Sequence, residues 1–145
     1  MKSPFIIDRR SGRISTVAGG LVFDPETGPP PTRPGSLRTL FEGIAEGEVS
    51  VTIYFAEVNG GCIVVAADHP QFGTGPGDWT EVNERARLKW LTELLCAAGA
   101  PVGSYSWGNV EARYNPKTVE ASAIVSYMSP TSRSTRSRAK TRAPG

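Results

Sequence analysis

Two hydrophobic periods divide this chain: short stretches that alternate every second residue, and one long stretch with a helical repeat. Residues 49–58 read VSVTIYFAEV, where Val49, Val51, Ile53 and Phe55 fall on one face, the pattern of a half-buried strand. Asn59-Gly60-Gly61 and the apolar run CIVVAA follow, so a hairpin is predicted there. Nearer the start, residues 5–8 and 13–16 flank Arg9-Arg10-Ser11-Gly12, a tight turn with glycine where a positive φ is needed. Residues 21–23 read either as a short strand or as an anchor for the following loop, and residues 37–44 fit a strand or a helical turn.

Residues 78–98 carry the helical period. Val82, Ala86, Trp90 and Leu94 step by four, and Leu88, Leu91, Leu95 and Ala98 widen the same apolar side, so Trp90 belongs mostly to the core, as does Trp79. Asp78 with Glu81 three residues later has the spacing of a capping box, and Gly99 followed by Pro101 supplies the stop. A final hairpin is predicted from residues 104–114 and 121–128. In strict alternation Gly108, Val110, Ala112 and Tyr114 point one way, under the helix, while Tyr105, Trp107, Asn109, Glu111 and Arg113 point the other. Short connections favour antiparallel pairing, and one amphipathic helix needs one sheet face to cover it. The expected fold class is α+β: an antiparallel β-sheet with one long α-helix packed on one face and a C-terminal β-hairpin.

At 145 residues the chain is the size of one domain with its own core. The expected domain spans 1–128. The proline-rich stretch DPETGPPPTRPG at 24–35 reads as a surface loop. Residues 129–145, SPTSRSTRSRAKTRAPG, hold no aliphatic side chain larger than alanine, which predicts a disordered tail.

Charge changes this picture. The net +2 conceals a basic tail with Arg133, Arg136, Arg138, Lys140 and Arg142 and no acid. Without those five, 11 basic residues face 14 acidic ones, so the body is mildly acidic. No apolar run approaches the length of a membrane span, and the N-terminus lacks the apolar stretch of a secretory leader, so cytoplasmic residence is expected.

Little in the chain points to catalysis. The one histidine, His69, follows Asp68, but adjacent residues usually point apart and no nucleophile motif accompanies them. Cys62 and Cys96 lie in apolar surroundings without a CxxC pair, and read as buried reduced thiols. With one histidine and no cysteine cluster, no metal site and no cofactor are expected. Gly73, Gly75 and Gly77 lead into the helix, yet Pro76 removes a donor and Asp78 places a carboxylate where a phosphate would sit. Glu42, Glu46, Glu48 and Glu57 gather around one strand, either as a solvated edge or as an acidic face for a basic partner.

Tyr105-x-Trp107-Gly108-x-Val110, followed by Tyr114-Asn115-Pro116-Lys117-Thr118, resembles a group of small bacterial proteins in which a Trp-containing helix precedes a Trp-Gly strand and an Asp-Pro-Lys-like turn. Several of these are similar to immunity proteins of polymorphic toxin systems. The likeness covers roughly residues 79–127, and Asn115 replaces the more usual acidic turn residue. It implies a non-enzymatic protein that neutralises a partner toxin by occluding its active face. The expected contact residues are Tyr105, Trp107, Asn109, Glu111 and Arg113, although the two aromatics are equally at home in a core. The alternative is a nucleic-acid-associated protein acting through the Arg-rich tail, which lacks aromatics for base stacking.

Overall fold

A computed structural model describes residues 1–27, 37–45, 48–56, 62–72, 80–115 and 120–128. Strands β1 (Phe5–Ile7), β2 (Ile14–Thr16) and β3 (Leu21–Phe23) form a small antiparallel meander. Strands β4 (Leu37–Ile44), β5 (Ser50–Ala56), β6 (Cys62–Asp68), β7 (Gly103–Tyr105), β8 (Gly108–Asn115) and β9 (Glu120–Tyr127) make a six-stranded antiparallel sheet in the order β4-β5-β6-β9-β8-β7. Helix α1 (Glu81–Ala98) lies between β6 and β7 in the chain, after a short 3-10 turn at Pro70–Phe72. This is the expected α+β class. The tail 129–145, the loop at 28–36 and the glycines 73, 75 and 77 lie outside the described residues.

The alternation in β5 is realised. Val49, Val51, Ile53 and Phe55 are all buried, and so are Ile63, Val65 and Ala67 of β6 and Ala121, Ala123 and Val125 of β9. Together these residues form the inner face of the large sheet. Two elements cover it: α1 packs over β8 and β9, and the meander brings Phe5, Ile7, Ile14 and Phe23 into the same core. Residues 37–44 resolve as a strand, with an irregularity between Thr39 and Phe41 that bulges this edge of the sheet.

The helix departs from expectation at its start. Its N-cap is Thr80, in an extended conformation, with its side chain accepting from the Asn83 amide. The predicted cap, Asp78, and Trp79 lie outside the described residues. Gly99 ends the helix as expected, at φ 105°, and the amides of Gly99 and Ala100 close on the carbonyls of Cys96 and Leu95. The buried side is Glu84, Arg87, Leu91, Leu94, Leu95 and Ala98, whereas Val82 is 78% exposed and Ala86 is exposed. A charged pair thus occupies the face that hydrophobicity alone assigns to Val82 and Ala86. Glu84 receives a hydrogen bond from Arg87 and another, at 2.8 Å, from the Ala121 amide at the start of β9. Arg87 lies over the Phe72 ring and 3.8 Å from the Asp68 carboxylate. The helix accepts two charges inside because each has a partner supplied by the sheet end.

The last hairpin departs further. Its first strand is interrupted by a two-residue turn at Ser106-Trp107, which makes β7 and β8 separate, paired strands. Tyr105 pairs with Gly108, and the two therefore share a face instead of opposing each other. Trp107 is 1% exposed and enters the core, where its ring packs on Tyr105 and Tyr127 and its Nε1 donates to the Arg9 carbonyl at 2.9 Å. The Tyr127 hydroxyl donates to the Gly12 carbonyl at 2.8 Å. These two bonds fasten the β1–β2 turn to the large sheet. Both glycines are required by close approach: a Cβ on Gly12 would stand 2.5 Å from the Trp107 ring, and one on Gly108 1.9 Å from the Ser126 carbonyl oxygen. The Trp-Gly pair is thereby accounted for as a packing device.

Candidate functional site

The large sheet has a second face, and among the described residues no helix or strand is laid over it. Strand alternation places on it Glu42 of β4, Thr52 and Tyr54 of β5, Cys62, Val64 and Ala66 of β6, and Glu120, Ser122, Ile124 and Ser126 of β9. Asn109, Glu111 and Arg113 of β8 lie on it as well, and Ile44, Ser50 and Asp68 stand at its end. Cross-strand register aligns Tyr54 with Val64, Val64 with Ile124, and Ile124 with Glu111, so an apolar strip crosses the middle of the face, with Tyr54 and Ile124 half-buried and Val64 buried between them. Beside it Glu42 pairs with Thr52, Thr52 with Ala66, and Ser122 with Arg113, a shallower row of small side chains.

The electrostatics of this face are acidic. Among the described residues Glu42, Glu111 and Glu120 lie on this face with Arg113, whose Nε lies 3.2 Å from the Glu111 carboxylate. Burial pushes the Tyr54 hydroxyl above its usual value, and the Glu120 and Cys62 charges push in the same direction. Burial also raises the Cys62 thiol. Both groups therefore stay protonated at neutral pH: Tyr54 is a neutral donor and Cys62 a weak nucleophile.

The five expected contact residues divide between the two faces. Asn109 and Arg113 are exposed on the open face and Glu111 is half-buried there, all in the expected alternation. Trp107 is a correction: it is sealed in the core and presents nothing to a partner. Tyr105 is half-buried with its ring stacked on Trp107 and its hydroxyl donating to the Pro101 carbonyl, so its contacts too are internal. The cause is the turn at Ser106-Trp107, which inverts the side-chain parity of everything before it. Reasoning from sequence missed Glu120, Ser122, Ile124 and Tyr54 as members of the face. The signal was present in the alternation of EASAIVSY, where every second residue is apolar and small or aromatic.

The remaining candidates are scattered. Asp68 turns toward Arg87, while His69 Nδ1 accepts from the Gln71 amide, so the adjacent pair does not act on one another. Glu42 lies on the open face, whereas Glu46 and Glu57 lie outside the described residues. Cys96 is exposed on α1 rather than buried, and Cys62 is half-buried; both are free thiols. Among the described residues no three His, Cys, Asp or Glu side chains gather as metal ligands, and no helix is long and apolar enough to cross a membrane. A shallow groove of about 340 Å³ between the 3-10 turn and α1 is lined by Gln71, Phe72, Ala86, Lys89, Trp90 and Glu93. No family model matches the chain, and neither the curated proteins nor the solved structures contain a match.

Proposed function

We propose that this is a non-enzymatic binding protein that holds a basic protein surface against the open face of its large sheet. The observation that carries the reading is the contrast in cover: the half-exposed Tyr54 and Ile124 on either side of the buried Val64, bordered by Glu42, Glu111 and Glu120, without an overlying element among the described residues. Apolar surface at the centre supplies affinity, while the acidic border steers a cationic partner and rejects anionic ones. A flat sheet face suits occlusion of a partner's surface. In its most concrete form the reading is an immunity protein that blocks a toxin, an expectation supplied by the resemblance over roughly residues 79–127.

The test is affinity purification from source cells with the full chain and three variants: Glu120→Lys, Ile124→Asp, and Glu93→Lys on the exposed side of α1. One basic protein retained near stoichiometrically by the wild type and by Glu93→Lys, but lost with the two sheet-face variants, is the expected outcome. It should also lose its activity when bound. Retention unaffected by Glu120→Lys and Ile124→Asp overturns the reading. Recovery of nucleic acid alone, disappearing as salt rises, would move the function to the basic tail.

A further inference from the structure

The distribution of charge over the described surface points to a second occupant of the same face. Three surfaces are available. On the solvent side of α1, Glu81, Arg85, Lys89 and Glu93 balance, and Glu81 is already bridged to Arg85. The meander and its turns expose Lys2, Arg9, Arg10 and Arg13 against Asp8 and Glu26 and are basic on balance. The open sheet face alone is acidic, with Glu42 and Glu120 making no ion pair among the described residues and Glu111 held by Arg113. The chain itself contains a strongly complementary segment. Residues 129–145 carry Arg133, Arg136, Arg138, Lys140 and Arg142 without an acid.

The connection makes the encounter geometrically easy. The segment begins after Met128, at the end of β9, the strand that lies between β6 and β8 inside the sheet and carries Glu120, Ser122 and Ile124 on the open face. Seventeen residues span at most about 56 Å when extended. The sheet is roughly 24 Å across at the usual strand spacing, so any part of the face is within reach. Tethering raises the local concentration of such a segment to the millimolar range, enough for weak, solvent-exposed ion pairs to populate the contact.

We propose that residues 129–145 act as a built-in competitor for the open sheet face, occupying its carboxylates until a tighter basic partner displaces them. This rests on the reading of that face as the docking surface. The arm screens the acidic surface against weakly held cationic proteins and leaves a cognate partner, which also covers the apolar strip, able to win. Regulation follows from charge: any modification that removes positive charge from the arm, or adds phosphate to its serines and threonines, opens the face.

The test needs no partner. The full chain is compared with a full-length variant carrying Arg133→Gln, Arg136→Gln, Arg138→Gln, Lys140→Gln and Arg142→Gln, using backbone amide shifts at low and high salt. The proposal predicts differences confined to Thr52, Glu111, Arg113, Glu120 and Ser122 and their neighbours, collapsing as salt screens the contact. A synthetic peptide of residues 129–145 then serves as the probe in trans. It should bind the neutralised variant about tenfold more tightly than the wild type, whose own arm competes. Unchanged amides on the sheet, differences on α1 or the meander instead, or equal peptide affinity for both proteins each overturn the proposal. None of these outcomes bears on whether Glu120→Lys releases a partner, so the docking reading stands or falls separately.

Discussion

The two faces of the six-stranded sheet are built from the same strands and separated by one residue of register, yet they do opposite work. The inner face is a closed system. Val51, Ile53, Ile63, Val65, Ala123 and Val125 are buried beneath α1 and the meander, and most of its polar groups are tied: Trp107 to Arg9, Tyr127 to Gly12, and Glu84 Oε1 to Arg87 and Ala121, while Glu84 Oε2 and Arg87 Nε are buried without a hydrogen-bond partner. The outer face keeps threonine, serine, tyrosine and glutamate side chains half-exposed, with an ion pair between Glu111 and Arg113. Burial is therefore concentrated on one side, and the proposed contact lies on the other.

The comparison can be broken hardest at the buried pair. Glu84→Ala leaves Arg87 charged, buried and without its main acceptor, and also removes the bond to the Ala121 amide; the expected loss is about 3–5 kcal/mol in urea unfolding. The joint replacement Glu84→Met with Arg87→Leu is expected to recover most of that loss, because no lone charge then remains inside. A joint variant as unstable as the single one would mean that the Ala121 bond, and not charge compensation, dominates.

Trp107→Ala removes a fully buried ring together with its bond to Arg9, and about 3–5 kcal/mol of destabilisation is expected. If Trp107 acted as a contact residue, this replacement would change partner retention at unchanged stability, which a denaturation curve beside a binding assay would reveal. On the outer face Thr52→Ala and Ser122→Ala should each move stability by no more than about 0.5 kcal/mol. Ile124→Asp should affect partner retention far more than the unfolding midpoint.

A further effect is expected in alkali. Burial, with Asp24 adding to it, holds the Tyr127 hydroxyl well above its ordinary value of 10.0, and Tyr54 is raised as well. Above about pH 10 the unfolded chain releases these protons while the folded chain retains them, so stability falls as pH rises through that range and is unaffected below it. Tyr127→Phe should flatten the fall, at the cost of the Gly12 bond, and Tyr54→Phe should flatten it less. Stability measured from pH 8.5 to 11 at fixed ionic strength checks both; an equal slope in Tyr127→Phe and wild type would remove the inner-face tyrosine from the account.

Much of the framework was readable from local rules. The alternation around Val51 and Ile53, the helical repeat ending at Gly99 and the glycine of the first turn each specify an element through a short-range steric or burial requirement, while Asn59-Gly60-Gly61 lies outside the described residues. The open face was partly legible too, since Asn109, Glu111 and Arg113 follow their strand's alternation. The aromatic half of the expected contact surface was not, because a two-residue turn at Ser106-Trp107 carries no glycine or asparagine at its centre and so escapes the usual turn chemistry.

By itself the sequence determined which stretches alternate, which one repeats as a helix, where that helix stops, and that a basic end follows a mildly acidic body. Those are properties of neighbours in the chain. Only the tertiary structure decided that Glu84 and Arg87 lie inside, that Trp107 and Tyr105 join the core, and that Glu42, Glu111 and Glu120 come to share one uncovered face. Each of these depends on partners far apart in sequence: an amide of β9 for Glu84, a carbonyl of the first turn for Trp107, and three different strands for the acidic border. A residue's environment is set by what the fold places across from it, and no local pattern contains that information.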